Sequence, residues 1–134
     1  MKTVILCGGR GTRLAEETEY KPKPLVEIGG KAILSHIMKI YESQGFKDFI
    51  LCLGYKGNMI KEYFLHINEM DNDVLLDLNS HQRTNLTKNN TLEGRVALVD
   101  TGLNSLTGAR IARIKKYLGA DEDFFLTYGD GVGN

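Results

Sequence analysis

The apolar positions of the chain fall into short unbroken runs that alternate with helically spaced sets. Thr3-Val-Ile-Leu6 is apolar or β-branched throughout and predicts a short buried strand. Ile33, Leu34, Ile37, Met38, Ile40 and Tyr41 recur at helical spacing, and Gly45 is the expected stop. Asp48-Phe-Ile-Leu-Cys-Leu-Gly54 is a second apolar run, of the kind covered on both faces. Gly54-Tyr-Lys-Gly57 turns the chain, and Ile60, Tyr63, Phe64 and Ile67 predict a second amphipathic helix. A third strand follows at Arg95-Val-Ala-Leu-Val-Asp100. A helix should begin near Thr107–Ala109, with Ile111, Ile114 and Leu118 on its apolar face and Gly119 as its stop. Asp123-Phe-Phe-Leu-Thr-Tyr128 predicts a fourth strand.

Repeated strand–helix alternation predicts an α/β fold with a Rossmann-like, doubly wound, mostly parallel sheet. Ligands of such sheets collect at the carboxyl ends of the strands. Three loops lie there: Gly8–Arg13, Asp100-Thr-Gly102 and Gly129-Asp-Gly131. They are expected to share one crevice. Residues 68–94 break the pattern. They are polar and rich in Asn, with a short alternation at Val74, Leu76 and Leu78, and predict an arm or hairpin suited to a neighbouring subunit.

Length and composition narrow the class. A chain of 134 residues makes about one small domain. Lys plus Arg and Asp plus Glu both number 17, and the resulting zero net charge argues against a nucleic-acid or anionic-membrane binder working through bulk charge. No apolar run approaches the roughly 20 residues of a membrane span, and Met1–Leu6 does not form a signal peptide, so a cytoplasmic location is the expectation. Cys7 and Cys52 carry no CxxC or histidine pair and read as buried free thiols.

The first strand runs straight into Gly8, Gly9 and Gly11, then Thr12 and Arg13. Glycine has no Cβ to hold a phosphate away from the backbone, so this loop suits a phosphate cradle. Arg10, Arg13, Lys21 and Lys23 place cations nearby. Pro22 and Pro24 should hold Lys21 and Lys23 on a stiff extended segment with both side chains on one side. The loop is not a P-loop, because no Gly-Lys-Ser or Gly-Lys-Thr occurs. It is not a dinucleotide fingerprint either: Leu14 stands where the third glycine belongs, and the second strand ends in Leu53-Gly54 without an acid. What remains is a nucleoside-triphosphate grip. Asp130, between two glycines at a strand end, is placed to hold Mg²⁺, and Lys23 to neutralise an incoming phosphate. A phosphate monoester is already an anion, so such a site needs no side-chain nucleophile.

The string LCGGRGTRL with KPKPLVEIGGK resembles the signature of the sugar-phosphate nucleotidylyltransferases. GYKGNMIKEYF, LVDTG, TGAR and FFLTYGDGV resemble, within that superfamily, the glucose-1-phosphate cytidylyltransferases. The resemblance implies a GT-A-like nucleotidyltransferase fold and the Mg²⁺-dependent reaction of CTP with glucose 1-phosphate to CDP-glucose and pyrophosphate, in the service of deoxysugars for surface polysaccharides. It also implies roles. Leu6, Cys7, Gly8, Gly9, Arg10, Gly11, Thr12 and Arg13 match the nucleotide loop. Arg13 and Lys23 match catalytic phosphate-binding positions, Ser105, Arg110 and Gly129 nucleotide contacts, and Asp130 the first metal-binding aspartate. The chain departs from the family at Cys7 (usually Ala), Ala32 (usually Pro) and Ser35 (usually Trp). Members run to roughly twice this length, with a second metal-binding aspartate in the other half. The expectation is therefore an N-terminal nucleotide-binding portion spanning 1–134, with an incomplete fold and little activity of its own. A non-catalytic nucleotide-binding half-domain and an enzyme using UTP or dTTP are the alternatives.

Overall fold

The computed structural model describes residues 1–8, 21–88, 92–102, 107–119 and 123–129. In chain order these form β1 (Lys2–Cys7), a 3₁₀ turn (Lys23–Leu25), β2 (Glu27–Ile28), β3 (Lys31–Ala32), α1 (Ile33–Ser43), β4 (Asp48–Leu53) and α2 (Gly57–Met70). Then come β5 (Val74–Asp77), β6 (Gln82–Asn85), β7 (Arg95–Asp100), α3 (Thr107–Ile114) with a 3₁₀ turn over Lys115–Tyr117, and β8 (Phe124–Tyr128).

Four strands make the central sheet in the order β7-β4-β1-β8, every pair parallel. Thr3 faces Phe49, Lys2 faces Phe124 and Asp48 faces Arg95. Alternate side chains of a strand leave opposite faces of the sheet, so β1 and β4 feed two cores at once. Ile5, Cys7, Phe49, Leu51 and Leu53 pack against Ile33, Leu34, Ile37 and Met38 of α1 and Ile60 of α2. Val4, Leu6, Ile50 and Cys52 pack on the other face against Ile114 and Leu118. This double duty is why both strands are apolar without interruption. Ser35 and Tyr63 share a 2.7 Å hydrogen bond between α1 and α2, which gives the buried Ser35 hydroxyl a partner. Both cysteines are buried thiols outside any disulfide, as expected.

The polar stretch is a hairpin. β5 and β6 pair antiparallel apart from the main sheet, and Arg83 reaches back to Glu69 of α2 at 3.0 Å. Asp77 shapes its turn: one carboxylate oxygen accepts the N–H groups of Asn79 and Ser80. Leu75, Leu76, Leu78 and Leu86 are each more than half exposed there.

Two features differ from the sequence reading. The KPKP segment is not extended throughout. Pro22 is extended (φ −67°, ψ 152°), but Lys23 begins a 3₁₀ turn closed by the Leu25 N–H on the Pro22 carbonyl, so Lys21 and Lys23 do not line one side of a strand. Burial of Pro24 and Leu25 accounts for the turn, because it folds the apolar residues of the segment inward. Gly29 and Gly30 form a turn that the apolar pattern does not predict. Both have positive φ (63° and 81°), and they join the two short strands β2 and β3.

Three surface carboxyls set the acid response. Arg95 grips Asp48 with two hydrogen bonds of 2.9 and 3.0 Å, Lys47 reaches Glu93 at 2.9 Å, and Asp77 accepts its turn amides. Each carboxyl is held below its ordinary pKa, chiefly by those hydrogen bonds. The folded chain therefore binds these protons less readily than the unfolded chain. Their contribution is present above the unfolded-state values and is lost as pH falls below about 4. The urea midpoint should drop through that range, and Asp48→Asn together with Glu93→Gln should shrink the drop. An unchanged drop in the double variant would contradict the assignment. Because the groups face solvent, the effect is modest.

Candidate functional site

The carboxyl ends of β1, β4 and β7 lie side by side, and each is followed by a small residue. Gly8 follows β1, Gly54 follows β4, and Thr101-Gly102 follows β7. An added Cβ on Gly54 would stand 3.0 Å from the Gly102 carbonyl oxygen and 3.1 Å from the Gly8 Cα, so these backbones are in contact. Gly102 has φ +96°, and its N–H donates to Asp100 Oδ1 at 2.9 Å.

Arg110 closes over this junction from α3. Arg110, Ile114 and Leu118 recur at four-residue spacing, so the arginine stands on the buried face of its helix and is 7% exposed. Its guanidinium occupies the space where a Cβ of Gly8 would lie, and its Nη1 is 2.9 Å from the place of a Gly54 Cβ. Nη2 donates to the Gly8 carbonyl at 3.4 Å, and Nη1 to Thr101 Oγ1 at 3.4 Å. Only glycines at 8 and 54 leave room for this arrangement. The same charge lies near Cys52. Burial pushes that thiol up to about 11 against the opposing effect of Arg110, so Cys52 stays protonated and unreactive at neutral pH.

β8 forms the other flank. The Gly129 N–H donates to the Leu6 carbonyl at 2.9 Å. A Cβ on Gly129 would meet Cys7 Sγ at 2.9 Å and Pro24 Cγ at 3.4 Å. The lack of a side chain at 129 thus lets β8, the end of β1 and the KPKP turn close on one another. It brings half-buried Lys23, next to Pro24, to the flank of the crevice that faces away from β7. On the β4 side a cavity of about 230 Å³ opens, lined by Gly54, Lys56, Asn58, Lys61 and Asp100.

Leu6, Cys7, Gly8 and Gly129 are therefore gathered at one end of the sheet, where the strand-end argument expects the loops after β1 and β8, and Arg110 and Lys23 join them there. Gly9, Arg10, Gly11, Thr12, Arg13, Ser105 and Asp130 lie outside the described residues. Among the described residues no group of three or more His, Cys, Asp or Glu side chains is arranged to hold a metal ion. The sequence carries Gly54 only as a turn residue and as a strand end without an acid, and Thr101 only as a member of the Asp100-Thr-Gly102 loop, so neither stands out there as a site residue. A small residue directly after each parallel strand is the signal that finds both.

Residues 2–105 match the Nucleotidyl transferase family. The chain belongs to that family. Within it, the chain is 52% identical over all 134 residues to the glucose-1-phosphate cytidylyltransferase of Salmonella typhimurium and 51% identical to the probable glucose-1-phosphate cytidylyltransferase of Bacillus subtilis. It covers 52% of each of those proteins, so it spans about half the length of the curated relatives it matches. The solved structure of HddC from Yersinia pseudotuberculosis complexed with GMP-PN superposes with a TM-score of 0.67 at 30% identity, over 96% of this chain and 47% of that one. The nucleotidyl transferase assignment agrees with the four-stranded parallel sheet flanked by helices. No described helix is long and apolar enough to cross a membrane.

Proposed function

We propose that this chain is the nucleotide-binding half of a cytoplasmic glucose-1-phosphate cytidylyltransferase. A phosphate oxygen of glucose 1-phosphate attacks the α-phosphorus of CTP, the bond to the β-phosphate oxygen breaks, and pyrophosphate leaves with CDP-glucose as the other product. The single observation that carries the reading is similarity to cytidylyltransferases over the entire chain. The seating of Arg110 against Gly8 and Gly54 supports it, since it fixes a cation at the strand ends where ligands of such sheets collect.

In this reading Leu6 to Arg13 grip the nucleotide, and Ser105 and Arg110 contact it near the base. Lys23 and Arg13 hold the reacting phosphates in line, which offsets their mutual repulsion. Gly129 keeps the wall at β8 thin. Asp130 offers one hard carboxylate, and Mg²⁺ takes one or two protein carboxylates with phosphate oxygens and water. The remaining carboxylate would come from the second half of the relatives' length. When bound, the ion supplies charge neutralisation at the phosphates. The exposed leucines of the β5–β6 hairpin suit contact with a second copy, in keeping with a homo-oligomer.

Pyrophosphate release from CTP and glucose 1-phosphate tests the reading. A full-length form should turn over with CTP in preference to UTP or dTTP. The 134-residue chain should bind CTP weakly and turn over little. A full-length form that uses UTP or dTTP and ignores CTP removes the base assignment.

A further inference from the structure

Thr101 sits at the end of β7 with no exposed surface. Its N–H donates to the Leu53 carbonyl at 2.9 Å, and its hydroxyl donates to the same carbonyl at 3.1 Å. That commits the hydroxyl proton to β4 and turns the oxygen lone pairs toward α3, where Arg110 Nη1 approaches at 3.4 Å. The Thr101 carbonyl accepts a hydrogen bond from Arg113 Nη1, one turn further along α3. One residue thus ties the end of β4 to both arginines. A hydroxyl oriented by a buried carbonyl is a directional acceptor, and away from solvent such a bond constrains its partner more than it would at the surface.

We infer that Thr101 is a positioning residue for nucleotide binding, holding the Arg110 guanidinium over Gly8 before the nucleotide arrives. The inference rests on the reading of Arg110 as a nucleotide contact. Arg110 has several rotatable bonds, and an arginine already held in its binding geometry loses less conformational freedom when the ligand docks. Valine keeps the shape of threonine but removes the acceptor. Serine keeps the acceptor.

Calorimetric titration of the chain with CTP and Mg²⁺ tests this, alongside thermal unfolding of each variant. Thr101→Val should weaken CTP binding about 3–10-fold, the range expected for one lost hydrogen bond. Thr101→Ser should stay within about twofold of the parent. In an Arg110→Ala background, Thr101→Val should add nothing, because the group it acts through is gone. If the valine chain does not fold, Thr101→Cys carries the test, since sulfur is a weak acceptor; it should fall short of Thr101→Ser by at least about threefold. Equal losses with and without Arg110, or full affinity in Thr101→Val, overturn the positioning role alone. Full affinity in Arg110→Ala, or a parent chain that does not bind CTP, overturns the reading of Arg110 and the inference with it.

Discussion

Gly8→Ala is expected to weaken CTP binding by at least about tenfold and to lower the unfolding free energy by about 1–3 kcal/mol, the usual effect of overfilling a packed site. The reason is steric. A methyl group at 8 would need the volume that the Arg110 guanidinium occupies. The arginine is buried and cannot yield without leaving Thr101 Oγ1 and the Gly8 carbonyl. Gly108→Ala is the matched control. An added Cβ at Gly108 meets no atom within 4 Å, and the residue lies in α3, where alanine is favoured over glycine by about 0.5–1 kcal/mol. The same chemical change should thus weaken the chain at 8 and strengthen it at 108. Calorimetric titration with CTP and urea unfolding read both effects. A Gly8→Ala chain that binds CTP like its parent would show that Arg110 is not held where the nucleotide docks.

Lys23→Ala should lower turnover by about 10²–10³ in a full-length form, the scale seen when one preorganised charge is removed from a transition state. Its stability should hardly change, since Lys23 is only half-buried while Pro22, Pro24 and Leu25 anchor the turn. Lys23→Arg should recover little, because a planar guanidinium on a longer stem does not replace a point charge aimed by a single turn. Pyrophosphate release measured beside thermal unfolding separates the two effects. Turnover at the parent rate in Lys23→Ala would remove Lys23 from the site. Asp130 lies outside the described residues and enters only through the proposed chemistry.

The parts of the fold that could be read from the chain are those where one residue pattern has one packing solution. The unbroken apolar runs at Val4–Leu6 and Phe49–Leu53 admit a strand covered on both faces, and they are found so. Ile33, Leu34, Ile37 and Met38 could only face a core as a helix. The KPKP segment misled because the rule for residues before proline describes local backbone preference. Burial of Pro24 and Leu25 outweighs it at Lys23. The Gly29-Gly30 turn did carry a signal, two glycines between short flanks, but two-residue strands have no periodicity to display. The candidate site was legible as glycines at strand ends. The hub at Thr101 was not, since its role depends on hydrogen bonds to Leu53 and Arg110 that come from distant parts of the chain. Arg110 entered through the family resemblance alone, although its spacing from Ile114 and Leu118 places it on the apolar side of α3.

The strand order has a consequence for how the protein is made. β1 lies between β4 and β8, so its first neighbour follows it by nearly 50 residues and its second by roughly 120. At about 5–20 residues per second, a ribosome takes roughly 6–24 s to deliver the second one. Throughout that interval Val4, Ile5 and Leu6, all destined for full or nearly full burial, have one edge without a backbone partner. Of the four strands of the sheet, the one that bears the glycine loop is made first, and its pairing with β8 is the last of the sheet's pairings to become possible.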